Sequence, residues 1–185
     1  MRVTVYGPSE GVWDGVVYRH FQKFDPRAGC YLFVSWRNPR MFDNDIVAVR
    51  KALWAHDVDY RELPTEERMA KVDSVWVISK WHQKHWTDLY PYSSEKTLVV
   101  GDGIDPDRFT GDEVREPKRL VYSSSPDRGL EQVLGYWPAL RKAIPGIKLD
   151  ILYGWENFDL MNGPADYKAK IMGMAQQIGI SWRGR

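Results

Sequence analysis

The feature that most constrains this chain is a series of short apolar runs, each ending abruptly in polar residues. YLFVSW at 31–36, KALWA at 51–55, SVWVI at 74–78 and TLVV at 97–100 are too short for buried helices. They also lack the strict alternation of a half-wet strand, so they read as strands of a parallel sheet, with 31–36 central and buried on both faces. Helical stretches fall between them. One spans 65–72, with Thr65 as cap and Glu66 and Glu67 in its first turn. Another runs from about 80 to 89 behind Ser79. Ahead of these lie a strand at 2–6, stopped by Gly7 and Pro8, and a second short strand at 11–18 with a turn at Asp14-Gly15.

The stretch 110–118 is polar and without periodicity, which predicts a linker. The alternation then resumes. A strand at 120–122 is followed by a helix with Leu130, Val133, Leu134, Trp137 and Leu140 on one face. KLDILY at 148–153, a helix at 166–177 and a short strand at 180–182 complete the pattern. The expected class is α/β, with two parallel-sheet units at 1–109 and 119–185. The second holds only about two and a half strand–helix repeats, so it looks incomplete at its C-terminal end.

Composition narrows function mainly by exclusion. With 43% apolar and 28% charged residues the chain is not of the disordered kind. A net charge of +1 gives no electrostatic case for nucleic acid or an anionic membrane. A single cysteine, Cys30, excludes an intrachain disulfide framework and fits a reducing, cytoplasmic setting. No run approaches the apolar length of about 18 residues that marks a transmembrane helix, while contact with a membrane surface stays open. Aromatic residues reach 14%, with nine tryptophans, from packing or from a surface of aromatic contacts.

The most suggestive stretch is LVYSSSPDRGLEQVL at 120–134. A strand feeds a helix through Ser123, Ser124 and Ser125, with Ser125 expected as N-cap and Pro126 as first helical residue. Such a turn gathers unpaired N–H groups at the positive end of a helix, a place suited to phosphate. Arg128 adds a fixed charge with paired donors. An ordinary capped turn accounts for the same residues. Strand ends elsewhere place Arg37, Asn38 and Arg40 after 31–36, and His56, Asp57 and Asp59 after 51–55. His82 and His85 stand three apart on a helix, but no third ligand matches them, so a packed or solvated face is expected rather than a metal.

Taken together, SWRNPRMF, WAHDVDY, SKWHQKHW, GDGIDPDRF, LVYSSSPDRGLEQVL and LYGWENFD resemble glycosyltransferase family 4, retaining enzymes of the GT-B group. The likeness covers nearly the whole chain. It implies two Rossmann-like domains, here both incomplete, and transfer of a sugar from a nucleotide diphosphate sugar with retention of configuration. It implies no cofactor besides that donor, and in most members no catalytic metal. The acceptor, whether saccharide, lipid or protein, belongs mainly to the first domain.

By resemblance His56 and Asp57 are the candidate catalytic residues, and Ser123, Ser124, Ser125, Arg128 and Gly129 hold the donor diphosphate. Gly154 and Trp155 lie where its base is expected. Arg37, Asn38, Asp59 and Ser79 fall on the acceptor side, and Gly101, Gly103 and Asp105 shape the domain junction, the glycines by φ freedom. The family's upstream basic residue is replaced by the serines. Its first strand with a Gly-rich loop and its paired-glutamate motif are expected to be missing. Two other readings follow from the same residues: a non-catalytic module binding a nucleotide sugar or a partner, and an epimerase-like enzyme.

Overall fold

The computed structural model describes residues 2–109, 111, 114–160 and 163–184, and they divide into two compact units, Met1–Pro106 and Asp107–Arg185. Part of the expected linker, at 110, 112 and 113, lies outside the described residues.

The first unit begins with a small mixed sheet of β1 (Val3–Gly7), β2 (Gly11–Trp13) and β3 (Val16–His20), in the order β1-β3-β2. The single strand expected at 11–18 is a hairpin. Asp14 (φ 50°) and Gly15 (φ 75°) both take the left-handed conformation of a two-residue turn, whose twist matches its strands.

A separate four-stranded sheet follows. It consists of β4 (Cys30–Trp36), β5 (Ala48–Ala55), β6 (Ser74–Val77) and β7 (Thr97–Val99), all parallel and in chain order. Helices α1 (Glu66–Ala70) and α2 (Lys80–Leu89) supply crossovers. Thr65 caps α1 and Ser79 caps α2, each accepting from an N–H three residues on, at 3.3 and 3.1 Å. Strands laid in chain order with crossovers of one hand put their helices on one face. Leu53, Ala55, Val75 and Val77 accordingly pack against Met69, Val72, Trp86 and Tyr90.

The other face carries Trp36, Trp54, Trp76 and Leu98 side by side in register. Trp36 and Leu98 are 61% and 51% exposed. The run 31–36 is thus not the central, doubly buried strand it was expected to be. Among the described residues it is an edge strand with a single neighbour, and Tyr31 is 76% exposed. An apolar run signals no polar alternation; it does not supply a second neighbour.

The second unit holds β8 (Arg119–Tyr122), α3 (Leu130–Ala143), β9 (Lys148–Ile151), α4 (Glu156–Leu160), α5 (Ala165–Met174) and β10 (Ile180–Trp182). Its strands are parallel, in the order β10-β9-β8. Leu130, Leu134 and Trp137 of α3 and Ile171 of α5 bury Leu149 and Ile151. On the other face Asp150 is 8% exposed and held by Arg119 at 2.8 Å and Arg183 at 3.4 Å. Among the described residues neither unit shows the reversal of strand order at which doubly wound sheets bind ligands. No helix of the described residues is long and apolar enough to cross a membrane.

Pro138 lies inside α3 without ending it. Its missing N–H would have served the Leu134 carbonyl, and the Gln177 side-chain amide donates to that oxygen at 3.1 Å instead.

Candidate functional site

In the first unit the ends of β4, β5 and β7 lead into Arg37, His56 and the loop containing Asp102. Arg37 takes a left-handed backbone (φ 60°), and its guanidinium grips both oxygens of Asp57, with Nε 2.9 Å from Oδ2. That hydrogen-bonded pairing holds the Asp57 carboxyl below the usual carboxylate range and raises Arg37. The backbone at the end of β5 is held by Tyr60, whose buried hydroxyl accepts from the N–H groups of His56 (3.0 Å) and Asp57 (3.3 Å).

The acid nearest the His56 ring is therefore not Asp57 but Asp102, at 3.7 Å from Nε2. That nitrogen is buried without a hydrogen-bond partner, and so is Nε2 of His82. Buried polar atoms are paired as a rule, and exceptions gather at functional places. His82 is 2% exposed at the start of α2. Burial pushes its pKa down, while a hydrogen bond with the Asp57 backbone pulls the other way. Sequence reasoning passed over Asp102 and Tyr60. An acid inside Gly-Asp-Gly gave the only signal for the first, and nothing marked the second.

Several acceptor-side candidates are occupied locally. Asp59 accepts from Arg61 N–H at 2.6 Å, closing a turn in which Arg61 has φ 53°. Asn38 caps the short helical turn Pro39–Asp43, accepting from Arg40 N–H at 3.2 Å. Ser79 is spent on capping α2. Arg40 is exposed. His85 stacks on Trp81, and its Nε2 lies 2.9 Å from the Val58 carbonyl. Among the described residues no group of three His, Cys, Asp or Glu is arranged to hold a metal. Gly101 and Gly103 do not need φ freedom. Both lie outside the left-handed region, and a Cβ on either would meet nothing within 4 Å.

In the second unit the serine turn borders an open cavity of about 1090 Å³, lined by Ser123, Ser124, Ser125, Arg128, Tyr153 and Tyr167 among others. The turn is not built as its sequence suggested. Ser125 is not the N-cap and Pro126 is not the first helical residue. Arg128 N–H donates to the Ser125 carbonyl, closing a separate turn, and α3 starts only at Leu130. Gly129 stands before it with φ 100°, and no side chain caps the helix. The Ser125 hydroxyl donates to the Asp127 carboxylate within that separate turn.

Arg128 is exposed at the cavity. Glu131, also in the lining, is neutralised by Lys170 at 2.6 Å. Tyr167 donates to the Pro126 carbonyl at 3.0 Å, tying α5 to the turn. Gly154 is buried beside Glu156, and Trp155 stacks on Trp182 with its indole N–H toward Met172 Sδ. The aromatic side chain that the end of β9 brings to the cavity is Tyr153, two residues before Trp155. Set against protein-family models and curated proteins, the chain finds no match.

Proposed function

We propose that the chain carries the donor turn and the acceptor edge of a retaining glycosyltransferase of GT-B architecture. It would move a sugar from a nucleotide diphosphate sugar to an acceptor hydroxyl. The observation that carries this reading is the cavity of about 1090 Å³ on which three serines, Arg128, Tyr153 and Tyr167 converge. Polar groups, aromatic surface and Arg128, which among the described residues has no ion-pair partner, suit a nucleoside diphosphate, and the Asp127 carboxylate in the same lining accepts from the Ser125 hydroxyl. In the reaction the bond from sugar C1 to the phosphate oxygen breaks, the acceptor oxygen bonds to C1 on the same face, and the acceptor's proton passes to the leaving diphosphate oxygen. Negative charge gathers on the leaving diphosphate. Arg128 and the uncapped start of α3 are the groups here that stabilise it. On the first unit His56 stands at the acceptor edge with its Nε2 3.7 Å from Asp102, and Asp57 fixes Arg37 in place.

The test is calorimetric titration of the whole chain with UDP, GDP and their sugars, repeated with Arg128→Ala. Binding of one diphosphate, weakened at least about tenfold by the substitution, is expected. Equal binding by the variant would remove Arg128 from the site.

One observation favours a second reading, a nucleotide-sugar-binding module without transfer. Asp57 is spent on Arg37 and is a weak proton acceptor. Nucleotide binding without diphosphate release, across acceptors that include sugars, lipids and peptides, would select it.

A further inference from the structure

Trp36 has no part in the reading above, yet it dominates the surface at the end of β4. It is 61% exposed, and its ring is held from two sides. His56 meets it edge-on with centroids 5.8 Å apart, and the Arg37 guanidinium lies over one face of the ring, 5.6 Å from its centroid. The next tryptophans in the same row differ. Trp54 and Trp76 are partly buried and pack on each other at 6.1 Å. Trp36 is thus an exposed ring in a fixed orientation, next to charged groups.

Those groups have hydrogen-bonding capacity left. In the Arg37–Asp57 pair, 40% of one side chain and 37% of the other are open to solvent. Asp102 beside His56 is 58% open. A long apolar chain would strand these charges in a dry interface. A phosphate would face two carboxylates. A pyranose fits both halves of the patch: its face of axial C–H groups is apolar and packs on an aromatic ring, whose π face is negative. Its rim of neighbouring hydroxyls takes donors and acceptors in pairs, as a guanidinium beside a carboxylate presents them.

We propose that this edge is a saccharide subsite, in which Trp36 is the stacking platform and Arg37, Asp57 and Asp102 bind the hydroxyls. The inference rests on the glycosyltransferase reading and names its acceptor class, a sugar rather than a lipid chain or a peptide.

The nine tryptophans allow a direct test on the ¹⁵N-labelled full chain. The indole signal absent from Trp36→Ala belongs to Trp36. Methyl glycosides of glucose, galactose, mannose and N-acetylglucosamine are titrated in, and UDP and GDP in separate samples. One or more glycosides are expected to shift that signal. Trp36→Ala should weaken glycoside binding at least about tenfold and Trp36→Phe by less, with the remaining indole signals dispersed as in the parent. The proposal is overturned if no glycoside binds the folded chain, if Trp36→Ala binds equally well, or if only an octyl chain or a peptide moves the Trp36 signal. A glycoside that shifts Trp36 while neither nucleotide binds would sink the donor reading and leave the saccharide subsite standing.

Discussion

Tyr60 holds two successive backbone N–H groups with one oxygen, and those groups belong to His56 and Asp57. Tyr60→Phe keeps the ring among Phe42, Trp86 and Tyr90 but leaves both donors without their acceptor. A cost of about 1–3 kcal/mol is expected, read as a shift in denaturant midpoint at constant slope. His82 gives the residue scale a pH dependence. Its folded pKa lies below its usual 6.5 because burial disfavours the charged ring. Below that usual value the unfolded chain binds more protons than the folded one, so stability falls as pH drops from neutral toward acid. His82→Asn should flatten this loss in melts recorded across that window. An unchanged slope would mean that other groups carry it. Asp57 acts lower on the scale. Its depressed pKa contributes stability above the ordinary carboxylate range, lost as pH falls through the folded value.

At the scale of elements, α3 shows how a helix tolerates an internal proline. Gln177 reaches across from the end of α5 to the carbonyl that Pro138 leaves without an N–H donor. Gln177→Ala should therefore cost about 1 kcal/mol in the native background. It should cost much less in Pro138→Ala, where the restored N–H serves Leu134. A double-mutant cycle with no coupling would refute the exchange. At the other end of α3, Gly129→Ala forces a side chain to φ 100° and is expected to cost about 1–2 kcal/mol in the same assay. These two features separate what patterning reveals from what it hides. The apolar face of α3 was legible because Leu130, Leu134 and Trp137 repeat with the helical period. Its first residue was not, because the chain from Ser125 to Arg128 suits either a first helical turn or a separate turn closed by the Arg128 N–H on the Ser125 carbonyl. Only the assembled turn chose between them. Asp14-Gly15 was read as a turn, yet the hairpin it makes was missed because the flanking runs were read as one strand.

For the whole molecule, the division into two units has a consequence for ligand response. Each unit has its own core, one around Leu53 and Trp86 and the other around Leu134 and Trp137. The cavity beside the serine turn lies within the second. A nucleoside diphosphate at about a hundredfold excess over its Kd should stabilise that unit by about 2.7 kcal/mol. The first unit should move much less, as hydrogen exchange at amides in each core would show. Equal protection of both cores would mean that they unfold as one.

The sequence by itself determined the α/β class, the parallel strands at 51–55, 74–77 and 148–151, and the capping of α1. These are local matters: periodicity, short apolar runs, and a hydroxyl within reach of a nearby N–H. Only the tertiary structure decided that YLFVSW is an edge strand, that three tryptophans line one sheet face, and that Asp57 pairs with Arg37 while Asp102 approaches His56. The same holds for Tyr153 rather than Trp155 at the cavity. Each of these depends on groups from separate strands or loops meeting in space. No local pattern records which neighbour a side chain will meet.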